Sequence, residues 1–311
     1  MNLHTFAQLT VNGLINGSTY GLLGAGFALI LGVTGRFHFA FALTYTVAAY
    51  IASVLASGTG VPAGLAIVIG LAAGTAVGLL VERLVYRPVA GRAGPNALLA
   101  VFVVSLMLTI VGEATVNLIW GITSQNRQLT LFDVQTLTVS DLTFTNLDVV
   151  IVAASWLSIG LMVAFLRGAS VGRKVRAVRS NPLMAEAVGI SAGRVFLVVF
   201  GIGSLVSGIA GVLYALKFAA VPDMGERPVF YAFVVAFLGG TRRSPLVVGV
   251  AGLALGLVES WSAEWLSAQW SSLVVFGVLF LYVTRRSIAT DSGQRLLARR
   301  TRTRADARAE A

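Results

Sequence analysis

Six polar side chains sit where a path for solute would need them. Asn12, Asn16, Ser18, Thr19 and Tyr20 crowd the first apolar run of the chain, and His38 follows just after it. At that depth in hydrocarbon a polar group must bond to a neighbouring helix or face a water-filled path. Both readings stand: interhelical bonding for any one residue, a solute pathway for the cluster. Catalysis finds no comparable set. Neither H-E-x-x-H, G-x-S-x-G nor the nucleotide-binding G-x-x-x-x-G-K-[ST] occurs, and cysteine is absent. The two histidines, His4 and His38, are too scattered for a metal site. Glu113, late in the fourth apolar run, lacks the fellow intramembrane acids that a proton relay uses. An enzyme, a metal site and a cofactor site are therefore not expected.

A second constellation lies in the basic stretch 167–194. Asn181 suits an N-cap, because its side-chain oxygen can accept from an orphan amide of the first turn. Pro182 suits the first helical position, where its missing N–H costs nothing. Gly189 is the residue that turns left-handed and ends a helix. Together they predict a helix of about two turns over 182–188. Leu183 with Ala187, and Met184 with Val188, are i,i+4 pairs that give it an apolar face. A helix so short needs a surface to lie on. That surface is either a cytoplasmic partner or the membrane face, whose headgroups the basic neighbours also suit.

The elements that must position these groups follow from composition. Hydrophobic residues make up 57% of the 311 and charged residues only 12%, about half the charged share of a soluble domain. Apolar runs approach the ~20 residues that cross a bilayer as helix. The fold class is an all-α membrane protein, a polytopic helical bundle with nine apolar segments: 9–33, 39–57, 62–81, 97–119, 147–166, 194–219, 229–240, 245–266 and 269–284. The seventh is short and is expected to be tilted or broken and packed within protein. Small residues at every fourth position, as at Gly13, Gly17 and Gly21, at Gly70, Gly74 and Gly78, and at Gly252 and Gly256, predict close helix crossings.

With the N-terminus outside, 20 of the 23 Lys and Arg fall on the inner side and only Arg127, Lys217 and Arg227 outside. This is the expected cytoplasmic bias. It places the C-terminus in the cytoplasm and explains the net charge of +10 without nucleic acid as a partner. One membrane domain, 1–286, is expected, with the basic loop 167–194 inside and the loop 121–146 outside, where partial alternation suggests short extended pieces. The tail 287–311 is basic and expected to be disordered and drawn to anionic membrane lipids.

The blocks GLINGSTYGLLGAGFALILGVTG (13–35), ERLVYRPV (82–89), VGRKVRAVRSNPLMAEAVGISAGRVF (171–196) and FGIGSLVSGIAGVLYA (200–215) resemble, in order, the permease subunit of branched-chain amino acid ABC transporters. The resemblance covers about residues 10–285. It implies an inner-membrane importer subunit for branched-chain amino acids or a related solute such as urea, an amide or an aromatic acid. It implies a second similar permease, two ABC ATPase subunits and an extracytoplasmic solute-binding protein as partners. Asn181, Pro182, Ala185, Ala187, Gly189 and Ile190 fall on the family's ATPase-coupling motif. Where the family reads N-F-A-H-G-E, this chain reads HFAFAL from His38 to Leu43, so polar groups there have become apolar. Without the resemblance, a stand-alone secondary transporter or channel remains the alternative.

Overall fold

In the computed structural model, residues 3–121, 129–139, 142–266, 270, 273–282 and 284 are described. The tail 287–311 and Arg127 lie outside the described residues. The helices are α1 (Leu3–Thr34), α2 (Phe41–Gly58), α3 (Ala63–Leu80), α4 (Arg87–Ala93), α5 (Ala97–Trp120), α6 (Asn146–Gly168), α7 (Ser170–Ser180), α8 (Pro182–Ala187), α9 (Ala192–Lys217), α10 (Glu226–Gly239), α11 (Pro245–Ser262) and α12 (Leu273–Tyr282). A hairpin, β1 (Thr136–Val139) and β2 (Leu142–Thr145), pairs Leu137 with Phe144 within the loop expected to hold extended pieces.

Each of the nine apolar segments carries a helix, but among the described residues six helical runs are long and apolar enough to cross a membrane. α10 and α12 are too short to count among them, and the third and fourth segments run together into one helical stretch, where a loop was expected. Residues 81–96 are helical instead: a π-helical stretch Val81–Tyr86, then α4, then a 3₁₀ turn Gly94–Asn96. The chain turns at Gly94, whose φ of +53° only glycine adopts without strain. α10 is the short seventh segment. Its Val229, Tyr231, Ala232, Val234, Val235 and Ala236 are all buried, as a short helix inside a bundle must be.

α1 is the central element and packs against α6, α9, α10 and α11. Its glycine stripe meets that of α11. A Cβ on Gly17 would lie 2.8 Å from Leu253 Cα, and one on Gly21 would lie 2.6 Å from the Gly249 carbonyl. Without side chains the two backbones touch, which is how helices gain packing energy where no hydrophobic effect drives association. Gly74 of α3 sits equally close to the Thr44 carbonyl of α2. At one end of α1, Gln8 exchanges hydrogen bonds with the backbone of Thr143 in β2, at 2.8 and 2.9 Å. At the other, Gly32 abuts the Thr241 carbonyl, to which Arg179 of α7 donates at 2.9 Å. The hairpin and α7 therefore mark opposite ends of the bundle. Near the α7 end Arg36 holds the buried Glu82 through both carboxylate oxygens, at 2.5 and 2.6 Å.

Candidate translocation cavity and coupling helix

A cavity of about 460 Å³ opens in the hairpin half of the bundle. α1 contributes Ile15, Asn16, Thr19, Tyr20 and Leu23, successive positions of one helical face. Tyr45 of α2, Ile151 of α6, and Leu213, Tyr214 and Lys217 of α9 form further walls, and Asp223, Arg227 and Tyr231 stand on α10 and the turn before it. Tyr20 stacks on Tyr231 with ring centroids 4.6 Å apart. Behind them the Tyr231 hydroxyl donates to Glu259 of α11 at 2.6 Å. Lys217 is held by Asp148 at 2.6 Å. Asp148 itself closes a capping box with Thr145 at the start of α6, so the hairpin, α6 and α9 meet at one charged joint.

Phenylalanines lie one turn deeper. Phe27 follows Leu23 by four residues on α1, and Phe41 precedes Tyr45 by four on α2. Both are buried, and Phe27 meets Phe39, Phe41 and Phe233 edge to face at 5.9 to 6.1 Å. Phe39 extends this layer to Phe102 and Phe230. The apolar departure from N-F-A-H-G-E thus supplies Phe41 to the layer beneath the cavity, beside Phe39, which matches the family pattern.

Of the six polar residues singled out in the sequence, the structure brings three, Asn16, Thr19 and Tyr20, to the cavity. The other three do not line it. Asn12 faces outward and accepts from Gln8 at 3.3 Å. Ser18 bonds between helices, donating to the Leu14 carbonyl at 2.7 Å and accepting from Trp156 at 3.1 Å. His38 is buried among Phe41, Tyr86 and Phe200, its Nδ1 2.9 Å from the Tyr86 hydroxyl. Its Nε2 meets no hydrogen-bond partner among the described residues. Burial pushes its pKa down to about 3, so it is neutral at physiological pH. At 100° per residue, 18 falls off the face shared by 16, 19, 20 and 23, whereas 12 lies on that face one turn before Asn16, beyond the cavity lining.

Sequence reasoning missed Asp223, Tyr45, Tyr214 and Tyr231. A signal did exist for Lys217 and Arg227, two of the three basic residues that charge bias left on the outer side. Glu113 does not reach this cavity; with Glu226 it lines a small separate pocket.

At the opposite end, α8 follows its sequence signals. The Asn181 side chain accepts from the Met184 amide at 3.1 Å, and Gly189 adopts φ +83°. The helix closes at Ala187, one residue short of expectation, with Val188 in the turn. Leu183, Met184 and Val188 are 77%, 66% and 74% exposed. Ala185 instead points inward and is buried, so it anchors α8 to the bundle and offers no outer contact. Nothing in the structure explains the side chains of Arg242 and Arg243; the backbone of Arg243 donates to the Gly240 carbonyl at 3.0 Å and accepts from Arg179 at 3.4 Å.

Among the described residues no group of three metal-ligating side chains occurs. A bundle with membrane-spanning helices around a polar cavity defines a polytopic permease domain. The sequence matches the family model for the branched-chain amino acid transport system permease component over residues 9–284, and the chain belongs to that family. It is a multi-pass, non-catalytic transport subunit. It is 30% identical to the high-affinity branched-chain amino acid transport system permease protein LivH of Salmonella typhimurium, across 89% of this chain and 92% of that protein. It is 25% identical to the corresponding BraD protein of Pseudomonas aeruginosa, across 91% and 95%. PsaBC from Streptococcus pneumoniae in complex with Fab superposes with a TM-score of 0.49 at 13% identity over 90% of this chain and 91% of that one, too loosely to bear on the site.

Proposed function

We propose that the chain works in the inner membrane as half of an ATP-driven importer, with the hairpin outside and α8 in the cytoplasm. A second similar permease, two separate ABC ATPases and an extracytoplasmic solute-binding protein complete it. The observation that carries this reading is α8: a helix with fixed ends whose Leu183, Met184 and Val188 face outward. Three exposed apolar side chains on a rigid two-turn helix suit a groove on a moving partner. Asn181, Pro182, Ala187, Gly189 and Ile190 shape or flank that surface, and Ala185 ties it to the bundle. An ATPase that changes its groove on nucleotide binding then biases the bundle, because it binds the two states unequally. The cavity is the outer part of the solute path, and Phe27, Phe39, Phe41 and Phe233 close it toward the cytoplasm.

Met184→Asp tests the coupling reading. A carboxylate in an apolar groove should abolish ATP-driven uptake and weaken co-purification of the ATPase, while the permease still inserts. Wild-type uptake by that variant, or leucine flux through the chain reconstituted without ATPase, counts against it.

A further inference from the structure

A groove of about 630 Å³ runs between α3 and α9 on the outer surface of the bundle. Leu79 and Leu80 form one wall, and Leu197, Val198, Gly201 and Leu205 form the other. Leu80 and Leu205 are exposed, so the groove is open. A Cβ on Gly201 would lie 3.4 Å from Leu79 Cδ2, so the missing side chain gives the groove its width. At its far end the Thr75 hydroxyl donates to the Leu71 carbonyl at 2.7 Å, which leaves the wall apolar. From Thr75 to Arg83 the groove follows about 12 Å of helix. That is most of one leaflet of a ~30 Å hydrocarbon core.

At the end nearer α7 and α8 the groove meets positive charge from both walls. Arg83 closes the α3 side. Arg194 shares a face of α9 with Val198, Gly201 and Leu205 and stands one turn before Val198. Arg87 lies beside them, its guanidinium carbon 3.5 Å from where a Cβ on Gly193 would stand. All three arginines are exposed. Among the described residues the ion pairs are Arg36–Glu82 and Lys217–Asp148, so neither Arg83 nor Arg194 has an acid within salt-bridge reach there. Arg87 acts on Glu82, but Arg36 already holds that acid through both oxygens.

We propose that this groove binds an anionic phospholipid, with an acyl chain between α3 and α9 and the phosphate held by Arg83 and Arg194. Guanidinium groups match phosphate oxygens in pairs, and a basic pocket between helices at headgroup level suits a lipid of net negative charge. A second permease is the poorer occupant. A two-fold axis along the membrane normal would set its own cytoplasmic arginines against these. The bound lipid ties the base of α9 to α3, and α8 leads into that base through Gly189 and Ile190. The site needs only that this end of the bundle meets a membrane surface, whatever partner α8 engages.

The test is photolabelling of the full chain, alone and in the assembled transporter, in phosphatidylcholine vesicles. These carry a small fraction of either phosphatidylglycerol or phosphatidylcholine with a diazirine in the acyl chain, and labelled residues are mapped. Phosphatidylglycerol should label the α3 and α9 walls about tenfold or more above phosphatidylcholine, because two arginines act on its headgroup. Arg83→Gln with Arg194→Gln should bring that ratio to about one, and Arg83→Lys with Arg194→Lys should keep most of it, since the charge stays. Gly201→Leu should abolish groove labelling by both lipids. The arginine variants alter exposed side chains only, so the test stands even if the glycine variant fails to fold. Equal labelling of wild type by the two lipids overturns the site, as does an excess that survives the Gln substitutions. Labelling of the chain alone that vanishes on assembly overturns it too, and makes the groove an interface between permeases.

Discussion

Phe27 and Phe41 meet edge to face, with ring centroids 5.9 Å apart and 86° between their planes. Each stands one helical turn beyond a cavity-lining residue, Leu23 on α1 and Tyr45 on α2. The contact therefore separates the polar cavity from the α7 end of the bundle. Edge-to-face rings contribute about 1 kcal/mol beyond their buried area, little enough for a moving bundle to break. Replacing Phe41 with Ala should raise passive, ATP-independent leucine flux through the reconstituted transporter. Flux no higher than wild type would remove the phenylalanines from the role of closure.

The α1–α11 crossing should tolerate no side chain. Gly17→Leu must push the backbones apart, because even its Cβ would lie 2.8 Å from Leu253 Cα. Overpacking costs about 1–3 kcal/mol or more, so the detergent-solubilised protein should melt well below wild type. Gly64→Ala is the control: the space beside Gly64 in α3 is open, and Ala favours helix by about 0.5–1 kcal/mol. Its melting temperature should hold or rise.

Loosening the ends of α8 should uncouple hydrolysis from uptake. Asn181→Ala removes the acceptor for the Met184 amide, at about 1 kcal/mol for a cap. Gly189→Val places a β-branched residue at φ +83°, which costs more. Uptake per ATP hydrolysed should fall in the order wild type, Asn181→Ala, Gly189→Val; an unchanged ratio in the glycine variant counts against a lever.

Breaking the joint between α6 and α9 should destabilise more than removing it. Lys217→Met leaves Asp148, 8% exposed at its side chain, with only its Thr145 contacts. With Lys217 itself 33% exposed, the loss should be about 1–3 kcal/mol, below that of a fully buried pair. Lys217→Met with Asp148→Asn should recover part of it, as read by thermal unfolding of both variants.

His38 should make the protein acid-sensitive. Its pKa in the fold is held down to about 3, against 6.5 in the open chain. Between these values the unfolded state binds a proton that the folded state does not, so stability falls as pH drops from about 6.5 toward 3 and is level above that. His38→Asn should flatten the profile. An identical slope in the variant would assign acid sensitivity to the carboxylates instead.

Local signals were enough for much of this molecule. Apolar run lengths specified the helices, fourfold spacing of glycines specified which helix faces could touch, and Asn181, Pro182 and Gly189 delimited α8 to within one residue. Each depends on neighbours at most a few positions away: hydrocarbon thickness, helical pitch, and a cap's reach to its own first turn. The helical path from Val81 to Asn96 was hidden because charged residues there resemble a loop, while Arg36 from a distant segment satisfies Glu82. The cavity was only half visible. Asn16, Thr19 and Tyr20 share one face of a single helix, so periodicity can group them; Asp223, Arg227 and Tyr231 join them from two hundred residues away. No period links such positions. Only the packing of α1 against α9 and α10 decides that they meet, and only burial decides that Ser18 and His38, equally polar on paper, are bonded away from the path.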